Sequence, residues 1–280
     1  TRKWMLFSWL FLSIGNALGM LWAYEELGWG GYWAWDPVEN AAFLPWLTAS
    51  AYVHSTMIQE RRHMFKLWNV FLICLTFFLT YFGTFLPRSG LIASVHSFAQ
   101  SGIGIFFVSY MLVIIVVSGG LMIWRADRLR PRGHIESVLS REFTFVLNNW
   151  ILLFIMLFIA VATVWPRISE WLWEQKATIG PPFYNTFLPP IALLLIFLMG
   201  TAPLLGWRKT SDALLIKSFR FPVAIALVVA FLHYFLGERY GYPAFVEETP
   251  IYEGSAGRAL AWVKGKLPLV TTTLVAYNFT

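Results

Sequence analysis

Charge is missing from long stretches of this chain: residues 150–166, 191–205 and 222–236 contain no Asp, Glu, Lys or Arg and are built mainly from Leu, Ile, Val, Ala and Phe. A soluble domain has too little interior to hide that much apolar sequence in a chain that is 58% hydrophobic and 13% charged. The bilayer is therefore the solvent, and a spanning helix in it needs about 20 mostly apolar residues. That rule places spans near 4–24, 41–60, 67–86, 101–124, 149–166, 187–206 and 220–236, with an eighth starting near 259. The expected fold is an all-α, polytopic transmembrane helical bundle forming one domain over residues 1–280, with short interfacial helices in its outer loops. Many of the 15 Trp residues sit beside the ends of these runs, as in the aromatic belts of membrane interfaces.

The net charge of +6 does not point to nucleic acid, because the basic residues fall in short connections between apolar runs. Alternate connections carry them unequally. Arg2 and Lys3, Arg61 to Lys66, Arg125 to Arg141 and Arg208 to Arg220 mark one side, with twice as many basic residues as the other. The positive-inside rule puts that side in the cytoplasm, so loops 25–40, 87–100, 167–186 and about 237–258 face outward. For a bacterial protein this means the inner membrane with those loops in the periplasm. Segment 165–174 (WPRISEWLWE) mixes aromatics with charges and suggests a short helix anchored in the outer interface. Cys74 is the only cysteine, so the chain has no internal disulfide and no CxxC pair, and thiol chemistry must come from partners. The sequence starts at Thr1 and stops at Thr280 within another apolar stretch, and reads as an internal part of a longer chain.

The first outer loop, GWGGYWAWDPVENAAFLPW over 28–46, concentrates Trp29, Tyr32, Trp33 and Trp35 around Gly30 and Gly31. An aromatic belt explains scattered tryptophans but not this density. Two glycines permit unusual backbone conformations and close approach, so a platform of aromatic faces could receive a large planar apolar ligand. Asp36, Pro37 and Glu39 have the spacing of a helix start, with Asp36 as N-cap and Glu39 completing a capping box. A capping role and a ligand-contacting role for Asp36 and Glu39 are compatible.

The second outer loop, LPRSGLIASVHSFAQ over 86–100, sets His96 among small and apolar residues near Arg88. An imidazole nitrogen is an axial ligand for haem iron, and a guanidinium pairs bidentately with carboxylates such as haem propionates. His54 lies inside the second span, thirteen residues beyond its expected start, roughly 20 Å below the outer surface at about 1.5 Å per residue. An ionisable side chain at that depth is a functional candidate; its bland alternative is a hydrogen bond to Ser50 four residues earlier. His233, thirteen residues along the seventh span, falls at a different depth and reads as a polar residue facing the bundle.

The stretch WGGYWAWDPVENAAFLPWL resembles the tryptophan-rich WWD signature of haem-handling membrane proteins. LPRSGLIASVHSFA and GPPFYN (180–185) resemble the neighbouring motifs of the CcmF/NrfE family, haem lyase subunits of cytochrome c maturation. The resemblance covers about 8–207, and Tyr32 stands where the family commonly has Trp. It implies that the loop of Trp29, Gly30, Gly31, Tyr32, Trp33, Trp35, Asp36 and Glu39 receives a transient haem, with His96 as one axial ligand and a second histidine upstream of Thr1. It also implies that His54 ligates a permanent transmembrane haem b whose other ligand lies beyond Thr280. That haem b would pass electrons to the outer haem while the vinyl groups of the latter are joined to the CxxCH thiols of apocytochrome c. The implied partners are a CcmE-like haem chaperone, apocytochrome c, thioredoxin-like or CcmH-like subunits and membrane lipid. The competing expectations are a haem transporter, which calls for charges within the spans, and a haem-delivery protein of the same superfamily, which would lack GPPFYN. A respiratory b-type cytochrome calls for histidine pairs at matched depth.

Overall fold

Every regular element among the described residues is helical. The structure is a computed structural model that describes residues 2–28, 30–90, 94, 102–130 and 133–280. The helices are α1 (Arg2–Glu26), α2 (Pro37–Arg62), α3 (Lys66–Arg88), α4 (Gly104–Trp124), α5 (Arg141–Trp173), α6 (Pro181–Thr201), α7 (Asp212–Leu236) and α8 (Gly254–Asn278). By length and apolarity, α1, α3, α4, α5, α6 and α7 can each cross a bilayer. The chain is a multi-pass, all-α membrane protein.

Cα packing divides it into two compact units, Thr1–His134 with Leu152–Pro181, and Ile135–Ile151 with Pro182–Thr280. In the first unit α2 runs antiparallel between α1 and α3. Arg2 pairs with Glu60, the Trp9 indole donates to Ser50 at 2.8 Å, and Trp46 donates to Ser13 at 2.8 Å. The serines answer across the pair, Ser13 donating to the Trp9 carbonyl and Ser50 to that of Trp46. On the other flank the Thr76 hydroxyl donates to Thr48 at 2.8 Å, and the Asn69 amide donates to Gln59 at 2.6 Å. A Cβ built on Gly83 would stand 3.1 Å from the Ala41 carbonyl oxygen, so the α2 and α3 backbones nearly touch there.

These contacts explain why α2 is absent from the set chosen by apolarity. Its polar residues Asn40, Thr48, Ser50, Ser55 and Thr56 are buried against neighbouring helices rather than facing lipid, and small or hydroxylated residues are what close helix packing in a membrane selects. Near the start of α2, Ala41 packs with Phe85 and Leu86 of α3 and Met111 of α4, and Val164 of α5 closes the cluster.

Helix boundaries differ from expectation where charge sits at a span end. α5 starts at Arg141 and α7 at Asp212, each a full two turns early, because a helix continues into the polar layer once its backbone is hydrogen bonded. At its other end α5 runs through Pro166 to Trp173. Segment 165–173 is thus the last part of a 33-residue helix rather than a separate interfacial one, and at about 1.5 Å per residue it outreaches a ~30 Å hydrocarbon core.

In the second unit, α8 lies parallel to α6 and antiparallel to α7. Tyr277 contacts Thr201 through its hydroxyl at 3.1 Å and stacks on Phe197, while Asn278 donates to the Ile196 carbonyl. An extended strap leans on α8, with Val246 N–H donating to the Gly265 carbonyl at 3.0 Å. A Cβ on Gly265 would collide with Val246 at 2.3 Å, so only glycine admits the strap there.

Candidate functional site

The site is built at the turn from α1 into α2. Gly28 (φ +62°) and Gly30 (φ +70°) take left-handed backbone conformations, which cost glycine little. A Cβ on Gly30 or Gly31 would meet nothing within 4 Å; the close approach expected of these glycines does not occur among the described residues, and the demand at Gly30 is conformational. Trp29 lies outside the described residues.

Trp33 and Trp35 meet edge to face, centroids 5.8 Å apart at 86°, and Phe43 closes on the other side of Trp33 at 5.8 Å and 70°. The rings of Trp33, Trp35 and Phe43 therefore form a corner. From this corner a column of rings descends, with Phe43 stacked on Trp46 and Trp46 on Trp9. Tyr32 turns away to stack on Tyr24 at 4.5 Å. The Trp33 indole N–H is buried and has no hydrogen-bond partner among the described residues.

Trp35 is the strained residue, with φ +59°. A left-handed conformation costs a non-glycine residue about 1–2 kcal/mol, and such outliers persist where the surroundings over-determine them. Here three bonds do so. The Glu39 carboxylate accepts from the backbone N–H of Ala34 and of Asp36, each at 3.1 Å, and the Asn40 amide donates to the Trp35 carbonyl at 3.0 Å. Asp36 caps α2 by accepting from Val38 N–H at 3.0 Å, which with Glu39 completes the capping box expected from the sequence. Glu39 is thus turned inward onto the loop backbone.

Two further links tie the loop to distant parts of the same unit, and neither residue was singled out from sequence. The Asn40 amide also donates to Thr163 Oγ1 of α5 at 3.1 Å, both residues being buried. The Ser94 hydroxyl donates to Asp36 Oδ2 at 2.5 Å, which joins the first outer loop to the second, two residues before His96. His96 itself lies outside the described residues. Arg88 stands exposed in the last turn of α3, with no ion-pair partner among the described residues.

His54 is half-buried on α2, about 25 Å along the helix from its start at Pro37. The Ser50 hydroxyl, offered above as its partner, is engaged by Trp9 and the Trp46 carbonyl. His233 belongs to the second unit and sits in the last turn of α7, where its Nε2 meets the Tyr242 carbonyl at 2.9 Å. It is a helix-end residue, three positions before α7 ends at Leu236. The GPPFYN motif opens α6, with Pro181 at its first turn and Tyr184 fully buried.

Residues 1–92 match the family model described as cytochrome C assembly protein. The chain is 40% identical over 81% of its length to the cytochrome c-type biogenesis protein ccl1 of Rhodobacter capsulatus, of which it covers 34%. It is 39% identical over 83% of its length to CcmF of Escherichia coli K12, covering 36% of that protein. With the probable biogenesis protein NrfE of the same organism it shares 36% identity over 74% of its length and 38% of the relative. A solved structure of cytochrome c haem lyase CcmF superimposes with a TM-score of 0.65 at 31% identity, covering 99% of this chain and 38% of that one. The chain spans about a third of the length of the relatives it matches.

Proposed function

Because this chain belongs to the CcmF/NrfE family of cytochrome c biogenesis proteins, we propose that it works in cytochrome c maturation, holding haem at the outer membrane face for covalent attachment to apocytochrome c. The observation that carries this reading is the aromatic corner of Trp33 and Trp35, held in a strained backbone and presenting a buried indole N–H without a partner among the described residues. Such a donor beside apolar faces fits a large planar ligand with acceptor groups at its rim, which is the chemistry of haem and its propionates. Backbone strain kept by three side-chain bonds is a feature of ligand sites more than of passive anchors.

Trp29, Trp33 and Trp35 would bound the haem faces, His96 would supply an axial nitrogen, and Arg88, exposed at the end of α3, would take a propionate. Gly30, Gly31 and Tyr32 shape the approach, while Asp36 and Glu39 fix the loop. When bound, haem supplies the vinyl groups across which the reduced thiols of a CxxCH segment add. The chain's own share is to bind, orient and exclude water. His54 would hold a permanent haem b within the bundle, a reading that its depth on α2 supports; that haem would act as electron donor to the outer one. The absence of a second cysteine from the sequence fits reductant supply by thioredoxin-like or CcmH-like subunits and haem supply by a CcmE-like chaperone. The distribution of basic residues supports an inner-membrane protein with loop 27–36 on the periplasmic side.

Haem-stained gels of c-type cytochromes test this. In a host lacking its own copy, His96→Ala is expected to abolish covalently bound haem in the cytochromes, while Tyr32→Trp, the family's common residue, leaves it intact. Normal cytochrome c in the His96→Ala strain would overturn the assignment.

A further inference from the structure

We propose that Asn40 and Thr163 form a clamp that positions Trp35, and that α5 thereby takes part in setting the shape of the tryptophan loop. The functional half of this inference rests on the haem reading above; the structural half does not. An Asn amide carries two N–H donors, and here one goes to the Trp35 carbonyl at 3.0 Å and the other to Thr163 Oγ1 at 3.1 Å. Asn40 is 1% and Thr163 3% exposed, so no water competes for these bonds. A buried donor deprived of its acceptor is costly, and the amide therefore stays where Thr163 holds it.

The consequence falls on Trp35. Its left-handed backbone relaxes toward ordinary conformations unless the peptide groups on both sides are held. Glu39 holds the preceding and following N–H groups, at Ala34 and Asp36. Asn40 holds the carbonyl, and it does so from an anchor on a helix 123 residues away in sequence. Without that anchor the Trp35 ring leaves its edge-to-face contact with Trp33. Asn40 and Thr163 are positioning residues, acting on any ligand only through Trp35.

The test labels the membrane protein with 5-fluorotryptophan and reads the fluorine resonances, those of Trp35 and Trp9 being identified by Trp35→Phe and Trp9→Phe. Thr163→Val removes the acceptor at constant volume, Asn40→Asp replaces the donors, and Thr163→Ser restores the hydroxyl. The expected result is a Trp35 resonance that moves in Thr163→Val and Asn40→Asp but not in Thr163→Ser, with Trp9, between α1 and α2, unmoved throughout. Haemin binding to the outer loop should weaken roughly tenfold in the first two variants, the loss that follows from one broken buried bond. An unmoved Trp35 resonance overturns the clamp, as does a Trp9 resonance that moves with it. A moved Trp35 with unchanged haemin affinity overturns its role in ligand positioning. Failure of the wild type to bind haemin would sink the haem reading while the fluorine spectra still decide the clamp.

Discussion

Trp35 and Glu39 divide the work of the loop between them, one presenting a ring and the other holding the backbone that presents it. Because one carboxylate accepts from two N–H groups, Glu39→Ala removes both bonds and half the capping box. A loss of about 1–2 kcal/mol is expected, seen as a lower thermal midpoint in detergent and faster proteolysis within 27–36. A midpoint equal to wild type would show that Glu39 does not brace the loop. The cap at Asp36 was legible from DPVEN alone, since its spacing is local chemistry. The left-handed Trp35 was not, because nothing in a tryptophan announces φ +59°. Thr163 was invisible for another reason, being one hydroxyl in an apolar span whose partner is set by tertiary packing.

A bond from Ser94 to the Asp36 carboxylate couples the loop before α2 to the segment after α3. Hydrogen bonds to a charged group contribute about 1.5–3 kcal/mol, and residues in direct contact show non-additive effects. A double-mutant cycle of Ser94→Ala and Asp36→Asn, read by unfolding in detergent, should give a coupling energy within or just below that range; strict additivity would remove the link. Among the helices, α2 illustrates what hydropathy can and cannot reveal. Its existence was read correctly from a pattern of 41–60, but its burial between α1 and α3 follows from Thr48, Ser50 and the close pass at Gly83. Gly83→Leu should force the two helices apart and destabilise the protein by about 1–3 kcal/mol, whereas Gly119→Leu on α4, where a Cβ meets open space, should change little. Equal effects at both positions would contradict the packing described here.

At the scale of the whole chain, an all-α membrane protein was legible because long runs without charge leave no other solvent. The two compact units were not, since the break at 134–135 and 151–152 has no composition signal and one helix, α5, contributes to both. The distribution of basic residues argues for an orientation with loop 27–36 outside, and labelling tests it. A cysteine placed at Tyr32, which is 51% exposed, should in a Cys74→Ser background react with a membrane-impermeant maleimide from outside intact spheroplasts. One placed at Arg62 should not, and the reverse pattern would invert the topology. The central claim is that this membrane domain holds haem, and the most direct measurement is a visible spectrum with pyridine haemochrome on the purified protein, wild type beside His54→Ala and His96→Ala. The account predicts b haem in the wild type, its loss in His54→Ala and its retention in His96→Ala, which nevertheless fails to mature cytochrome c. No haem in the wild type, or an unchanged spectrum in His54→Ala, would contradict it.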